Sequence, residues 1–200
     1  LPFENMSSDA EQEYFSDGLT EELLNLLAKI PELKVTSRTS AFFYKGKDIR
    51  LSDIGRELNV DHVLEGSVRK SGKKIRITAQ LIETSTDAHL WSDTWDRDLD
   101  DVFVIQDEIA KKVVDELRVQ LLGELPHAET TDGDTYSLFL QARHTINQRT
   151  YESLLRGEEL IDEAIRIDPD YAPAWVLKAN IHSQQADIGA RLPIEAFPMA

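Results

Sequence analysis

The chain has no cysteine among its 200 residues, which excludes disulfides, thiolate nucleophiles and Cys-based zinc or iron–sulfur centres. Long apolar runs are missing too. None approaches the ~20 residues a membrane helix needs, and no cationic-then-apolar leader opens the sequence. Basic residues are scarce, 22 Lys and Arg against 37 Asp and Glu, for a net charge of −15. Neutralising phosphates takes an excess of cations on some face, so the balance argues against nucleic acid and against anionic membrane surfaces as partners. The nine glycines are scattered and form no G-x-G-x-x-G or Walker string to cradle a phosphate. Five histidines, at 62, 89, 127, 144 and 182, lie far apart and make no H-E-x-x-H pair. Gly66-Ser67 falls inside an alternating strand and not on the strained elbow a nucleophilic serine needs. No catalytic, metal or cofactor residue is therefore expected, and a cytoplasmic location is.

What is present is enough aliphatic content for a core: 41% of residues are apolar. Leu1-Pro2-Phe3 reads as the tail of a strand, and the chain as a piece of a longer one. Leu19, Leu23, Leu26, Leu27 and Ile30 recur at helical spacing, with Asp17 as N-cap and Pro31 as stop. A β-prone run, Leu33 to Thr36, and an aromatic loop, Ser40 to Gly46, lead to a shorter helix through Leu51, Ile54 and Leu58, with Ser52 as N-cap and Asn59 at its exit.

From His62 the period becomes two. Val63 to Arg69 and Ile75 to Glu83 alternate around Ser71-Gly72, and His89 to Trp95 follows the turn Ser85 to Ala88, predicting a three-stranded antiparallel meander. Asp100 or Asp101 then caps a helix through Val102, Ile105, Ile109, Val113, Leu117 and Leu121, ended by Gly123. The expected class is α+β: a βαβα-βββ-α mixed-sheet domain over 1–124, a linker over 125–135 rich in Thr and acidic residues, and an all-α helical hairpin region over 136–200.

Three clusters invite functional readings. Arg69, Lys70, Lys73, Lys74 and Arg76 crowd the hairpin tip and could steer an anionic partner or dock an acidic neighbouring domain; the plainer reading is a solvated turn. Asp96, Asp98, Asp100 and Asp107 match positions of a calcium loop, but its glycine and bidentate Glu are absent, so the carboxylates read better as favouring the start of the next helix. Trp91 and Trp95 share a strand face and read as core, with a binding surface the alternative.

In the helical region Gly157, Ile161, Ala164 and Pro169 fall at a second-helix signature, Ala142 and Ala179 at a first-helix small position, and Trp175 at an aromatic opener. This region resembles tetratricopeptide repeats. Lys178 and His182 replace the usual Leu and Tyr, and the first unit carries extra residues near Asn147 to Tyr151. The resemblance implies a concave face built from first helices, placing Arg143, Asn147, Asn180, Ser183 and Gln184 where a peptide would lie; a solvated helix face is the alternative.

Residues 1–124 carry Leu1-Pro2-Phe3-Glu4-Asn5, Tyr14 to Leu23, Val63-Leu64-Glu65-Gly66-Ser67-Val68-Arg69, Ile77 to Ile82, His89-Leu90-Trp91-Ser92 and Gln106 to Ala110. These strings resemble the TolB N-terminal-like α/β module, with Asp87-Ala88 where that family usually has Gly. There the module follows a cyclase, winged-helix or kinase domain, so the resemblance implies an accessory role in bacterial signalling, with a protein or peptide partner or neighbouring domains of the same protein. A ligand- or pH-sensing domain, or part of an adenylate cyclase whose catalytic domain is absent here, are the alternatives.

Overall fold

The computed structural model describes residues 1–9, 12–117 and 125–189. The elements run β1 (Glu4–Asn5), α1 (Glu13–Ala28), α2 (Arg38–Phe42), α3 (Leu51–Leu58), β2 (His62–Ser71), β3 (Lys74–Glu83), β4 (Ala88–Asp98), a 3-10 turn (Leu99–Asp101), α4 (Val102–Glu116), α5 (Gly133–Ile146), α6 (Tyr151–Ile167) and α7 (Ala172–Asp187). The class is α+β, and backbone contacts divide the chain into units Leu1–Ala128 and Glu129–Ala200.

In the first unit β1-β2-β3-β4 form a mixed sheet: β1 is parallel to β2, and the other neighbours are antiparallel. Alternation sends Ile75, Ile77, Ala79 and Leu81 of β3 to the core, opposite Val68, Gly66 and Leu64 of β2 and Trp95 and Trp91 of β4. Such aliphatic–aromatic cross-strand pairs are what hold a sheet's register. Helices α1 and α4 bring Leu19, Leu23, Ile105, Ile109 and Val113 to the buried layer. Gly66 is obligatory: a Cβ there would stand 2.1 Å from the Thr78 carbonyl oxygen and 2.9 Å from the Phe3 ring.

Several local expectations need correction. Leu33 to Thr36 is not a strand, so the order is βααα-βββ-α and not βαβα-βββ-α. Val35 and Thr36 carry β propensity, but propensity stabilises a strand only where a neighbour completes the ladder, and β1 pairs directly with β2. Asp17 is not an N-cap. Helix α1 starts four residues earlier, and Asp17 lies buried within it, paired with Lys45. Likewise α3 begins at Leu51 with Arg50 at its cap, so Ser52 is helical, whereas Asn59 closes the helix in the left-handed conformation (φ 53°). Part of the aromatic loop is the short helix α2, capped by the Ser37 hydroxyl, which accepts from the Ser40 N–H at 3.2 Å. The hairpin turns on Gly72 (φ +57°) and Lys73, with Ser71 still paired to Lys74. Asp87 adopts φ 56°, a left-handed conformation that glycine takes most readily. Leu121 and Gly123 lie outside the described residues.

In the second unit α5 starts at Gly133, so residues 133–135 are helical and not linker. The Asp132 carboxylate accepts from the N–H groups of Asp134 (3.0 Å) and Thr135 (2.9 Å), satisfying donors that a helix start leaves open. Helix α6 opens on a Thr150/Ser153 capping box. It closes at Asp168, held extended ahead of Pro169. Gly157 lets α5 and α6 approach: a Cβ on it would come 2.3 Å from the Ile146 methyl. Tyr136, Leu140, Ala142, Leu154, Ile161, Ala164, Ala174 and Ile181 fill the interior.

Candidate functional site

At the hairpin tip the five cations are already engaged. Arg76 grips Asp96 in a two-pronged contact at 2.7 and 2.8 Å, which holds that carboxyl below the usual range. Lys74 pairs with Asp98 at 2.7 Å, the Arg69 Nε donates to the Met6 carbonyl, and Lys70 Nζ meets the Tyr14 hydroxyl at 3.2 Å. Lys73 is not free either. The aspartates at calcium-loop spacing make other contacts: Asp96 and Asp98 pair with Arg76 and Lys74, and Asp107 accepts from His127 and the Ala128 N–H. Among the described residues no group of three or more His, Asp or Glu could hold a metal.

Trp91 and Trp95 are buried, 5.8 Å apart, and the Trp95 indole N–H donates to Glu108 of α4 at 2.6 Å. They are core. In the helical unit Asn180 and Gln184 bond each other at 2.7 Å, Arg143 lies 5.0 Å over the Phe139 ring, Asn147 caps α5 in solvent, and Ser183 is half-buried. Lys178 and His182 pair with Asp162 (2.7 Å) and Glu158 (3.1 Å), so both unusual residues tie α7 to α6. Ala179 is exposed while Ala142 is fully buried.

Among the described residues of the first unit, two clefts stand out. One, about 820 Å³, is walled by residues 1–6, by the loop 44–49, and by Glu65, Ser67, Thr78 and Gln80 of the sheet. Its carboxylates are partly committed: Glu65 accepts from Gln80 at 2.6 Å, and Glu13 pairs with Lys45 at 2.5 Å. The other, about 430 Å³, is mainly apolar, with Leu23, Leu27, Val35, Val63 and Leu81 among its lining.

The loop between α2 and α3, part of the aromatic stretch Ser40 to Gly46, carries contacts that the sequence did not point to. Tyr44 is buried and its hydroxyl donates to Glu57 at 2.5 Å, an acceptor that raises the phenol's pKa. Burial alone would lower the Lys45 pKa, but hydrogen bonds to Asp17 and Glu13 outweigh it and hold the ammonium above its ordinary value. Phe43, next to the buried Tyr44, is 61% exposed, and Lys47 sits 3.0 Å over its ring. The signal was available: residues 38–50 hold four cations, Arg38, Lys45, Lys47 and Arg50, against Asp48 alone.

No protein-family model matches the chain. A Rhizobium meliloti (strain 1021) protein named "Putative adenylate cyclase 3" is 42% identical over 178 residues, 87% of this chain. The chain spans about 30% of that relative. It corresponds to one portion of a larger protein. Among solved structures, lipoprotein GNA1162 from Neisseria meningitidis overlaps 60% of this chain and 95% of its own at 17% identity and a TM-score of 0.42. The LpoB C-terminal domain from Salmonella enterica overlaps 48% and 77% at 19% identity and 0.37. A PelC dodecamer chain from Paraburkholderia phytofirmans overlaps 60% and 84% at 18% and 0.38. Overlaps this loose carry no weight for fold or function. Among the described residues no helix is long and apolar enough to cross a membrane.

Proposed function

We propose that this chain is a non-catalytic regulatory module of a larger signalling protein of the adenylate cyclase type, acting by binding a protein partner or a neighbouring domain. The observation that carries the reading is the match to a limited portion of a protein with a cyclase name. The TolB-like and tetratricopeptide-like resemblances agree with it: the first unit would dock or relay, and Arg143, Asn147, Asn180, Ser183 and Gln184 of the second would meet an extended peptide. Residence in the cytoplasm goes with a reaction that consumes ATP. A ligand-sensing role is the second reading, favoured by the apolar cleft of about 430 Å³, a size and lining suited to a small molecule.

In-frame excision of this span from the full-length protein tests the proposal. Cyclic AMP formation should change about fivefold or more, the scale of ordinary inter-site coupling, and the purified 200-residue chain should form none from ATP. Unchanged output after excision, or turnover by the isolated chain, overturns it.

A further inference from the structure

The loop joining α2 to α3 is built as a presentation device. Ala41 and Tyr44 are buried, and Lys45 is clamped between Glu13 and Asp17 of α1, so the backbone is anchored on both sides of Phe43. Phe43 is thereby turned outward, edge-to-face with Tyr44 at 5.2 Å. Gly46, at φ +68° with no atom within 4 Å of where a Cβ would stand, carries the chain round to Lys47. The ammonium of Lys47 rests over the Phe43 ring at 3.0 Å, and the Arg38 guanidinium, paired to Glu21, lies 4.4 Å over Phe42. Neither Lys47 nor Arg50 has a carboxylate partner among the described residues, and both are exposed.

That distribution inverts the charge map the sequence suggested. Lys74 and Arg76 of the hairpin are ion-paired within the fold, whereas a chain of net charge −15 leaves Lys47 unpaired over one of its most exposed aromatic rings and Arg50 unpaired seven residues beyond that ring in sequence. A phenylalanine costs solubility in such a place, and cations held over rings are already partly desolvated and oriented. An anchored loop also loses little freedom on binding, so more of the contact energy appears as affinity.

The geometry points to Phe43, Lys47 and Arg50 as a docking surface for an acidic, apolar-containing peptide segment, the carboxylates meeting the two cations and an apolar side chain covering Phe43. This rests on the partner-binding reading above and names the partner's chemistry. Complementarity of charge selects the acidic peptide: the patch is cationic on a chain whose net charge of −15 disfavours acidic segments over most of its surface.

The test titrates the whole chain with a fluorescently labelled peptide of Glu and Asp residues around a Phe-Leu pair, and separately with phosphatidylserine-containing vesicles. Saturable peptide binding that weakens with salt is expected. Lys47→Glu combined with Arg50→Glu should weaken it tenfold or more, and Phe43→Ala several-fold. Lys73→Glu combined with Lys74→Glu, at the hairpin where Lys74 is already paired with Asp98, should leave it unchanged. All these side chains are exposed, and matching circular dichroism spectra and melting curves verify folding. Absent peptide binding, equal loss in the hairpin variant, or binding to vesicles but not peptide overturns the proposal. None of those results touches the excision experiment, so the two ideas fail separately.

Discussion

Asp132 shows how one side chain sets an element's boundary. Burial would raise its pKa, but the Thr135 hydroxyl and the Thr135 and Asp134 N–H groups outweigh that and hold the carboxyl below its ordinary 3.8. A depressed folded-state pKa contributes stability above the unfolded value, and that contribution disappears as pH falls through the folded one. Asp132→Ala should therefore cost about 0.5–2 kcal/mol near neutral pH. The gap between variant and wild type should begin to narrow below about pH 4 and shrink further as pH falls. Thermal melts at the two pH values measure this, and a gap independent of pH would show that the charge is not what caps α5. Asp17 illustrates the opposite case. Acidic residues ahead of an apolar run suggest a cap, yet Phe15 is already buried and helical, so the carboxylate serves Lys45 across space. Only the fold reveals such a partner, 28 residues away.

At the scale of elements, periodicity was informative where it was sustained. The alternation of Ile75, Ile77, Ala79 and Leu81 determined which face of β3 is buried, and with it the fate of Trp91 and Trp95. Short, unpatterned stretches were not legible: Leu33 to Thr36 has no ladder to join, and the loop through Phe43 and Lys47 has no period at all, only composition. Long-range pairing was equally hidden, which is why the hairpin cations read as a free patch before Asp96 and Asp98 came opposite Arg76 and Lys74. The α5–α6 crossing offers a sharp check on packing. Gly157→Ala places a methyl 2.3 Å from the Ile146 side chain, and Ile146 is itself buried. Despite alanine's better helix propensity, stability should fall by about 1–3 kcal/mol, read as a lower denaturant midpoint at unchanged slope. A stabilised variant would mean that Ile146 yields without cost.

At the scale of the whole molecule, the second unit exposes much apolar surface: Tyr151, Leu155, Ile167, Trp175, Val176 and Ile188 are each at least 41% accessible. Leu140, Leu160 and Ile161 are buried, so the unit has a core, but its outer helices present faces that ordinarily seek a neighbour. Residues 129–200 expressed alone should self-associate or melt without cooperativity. Sedimentation with circular dichroism decides it, and a monomer melting sharply would show a self-sufficient domain. The first unit has another global property. Strand β1 pairs with β2 across a separation of 63 residues, Glu4 against Ser67. During synthesis at about 5–20 residues per second, β1 is made roughly 3 to 13 s before its partner. For that interval Phe3, buried in the finished protein, has no sheet to enter. The nascent chain must carry that ring unpaired until β2 has followed it out of the exit tunnel.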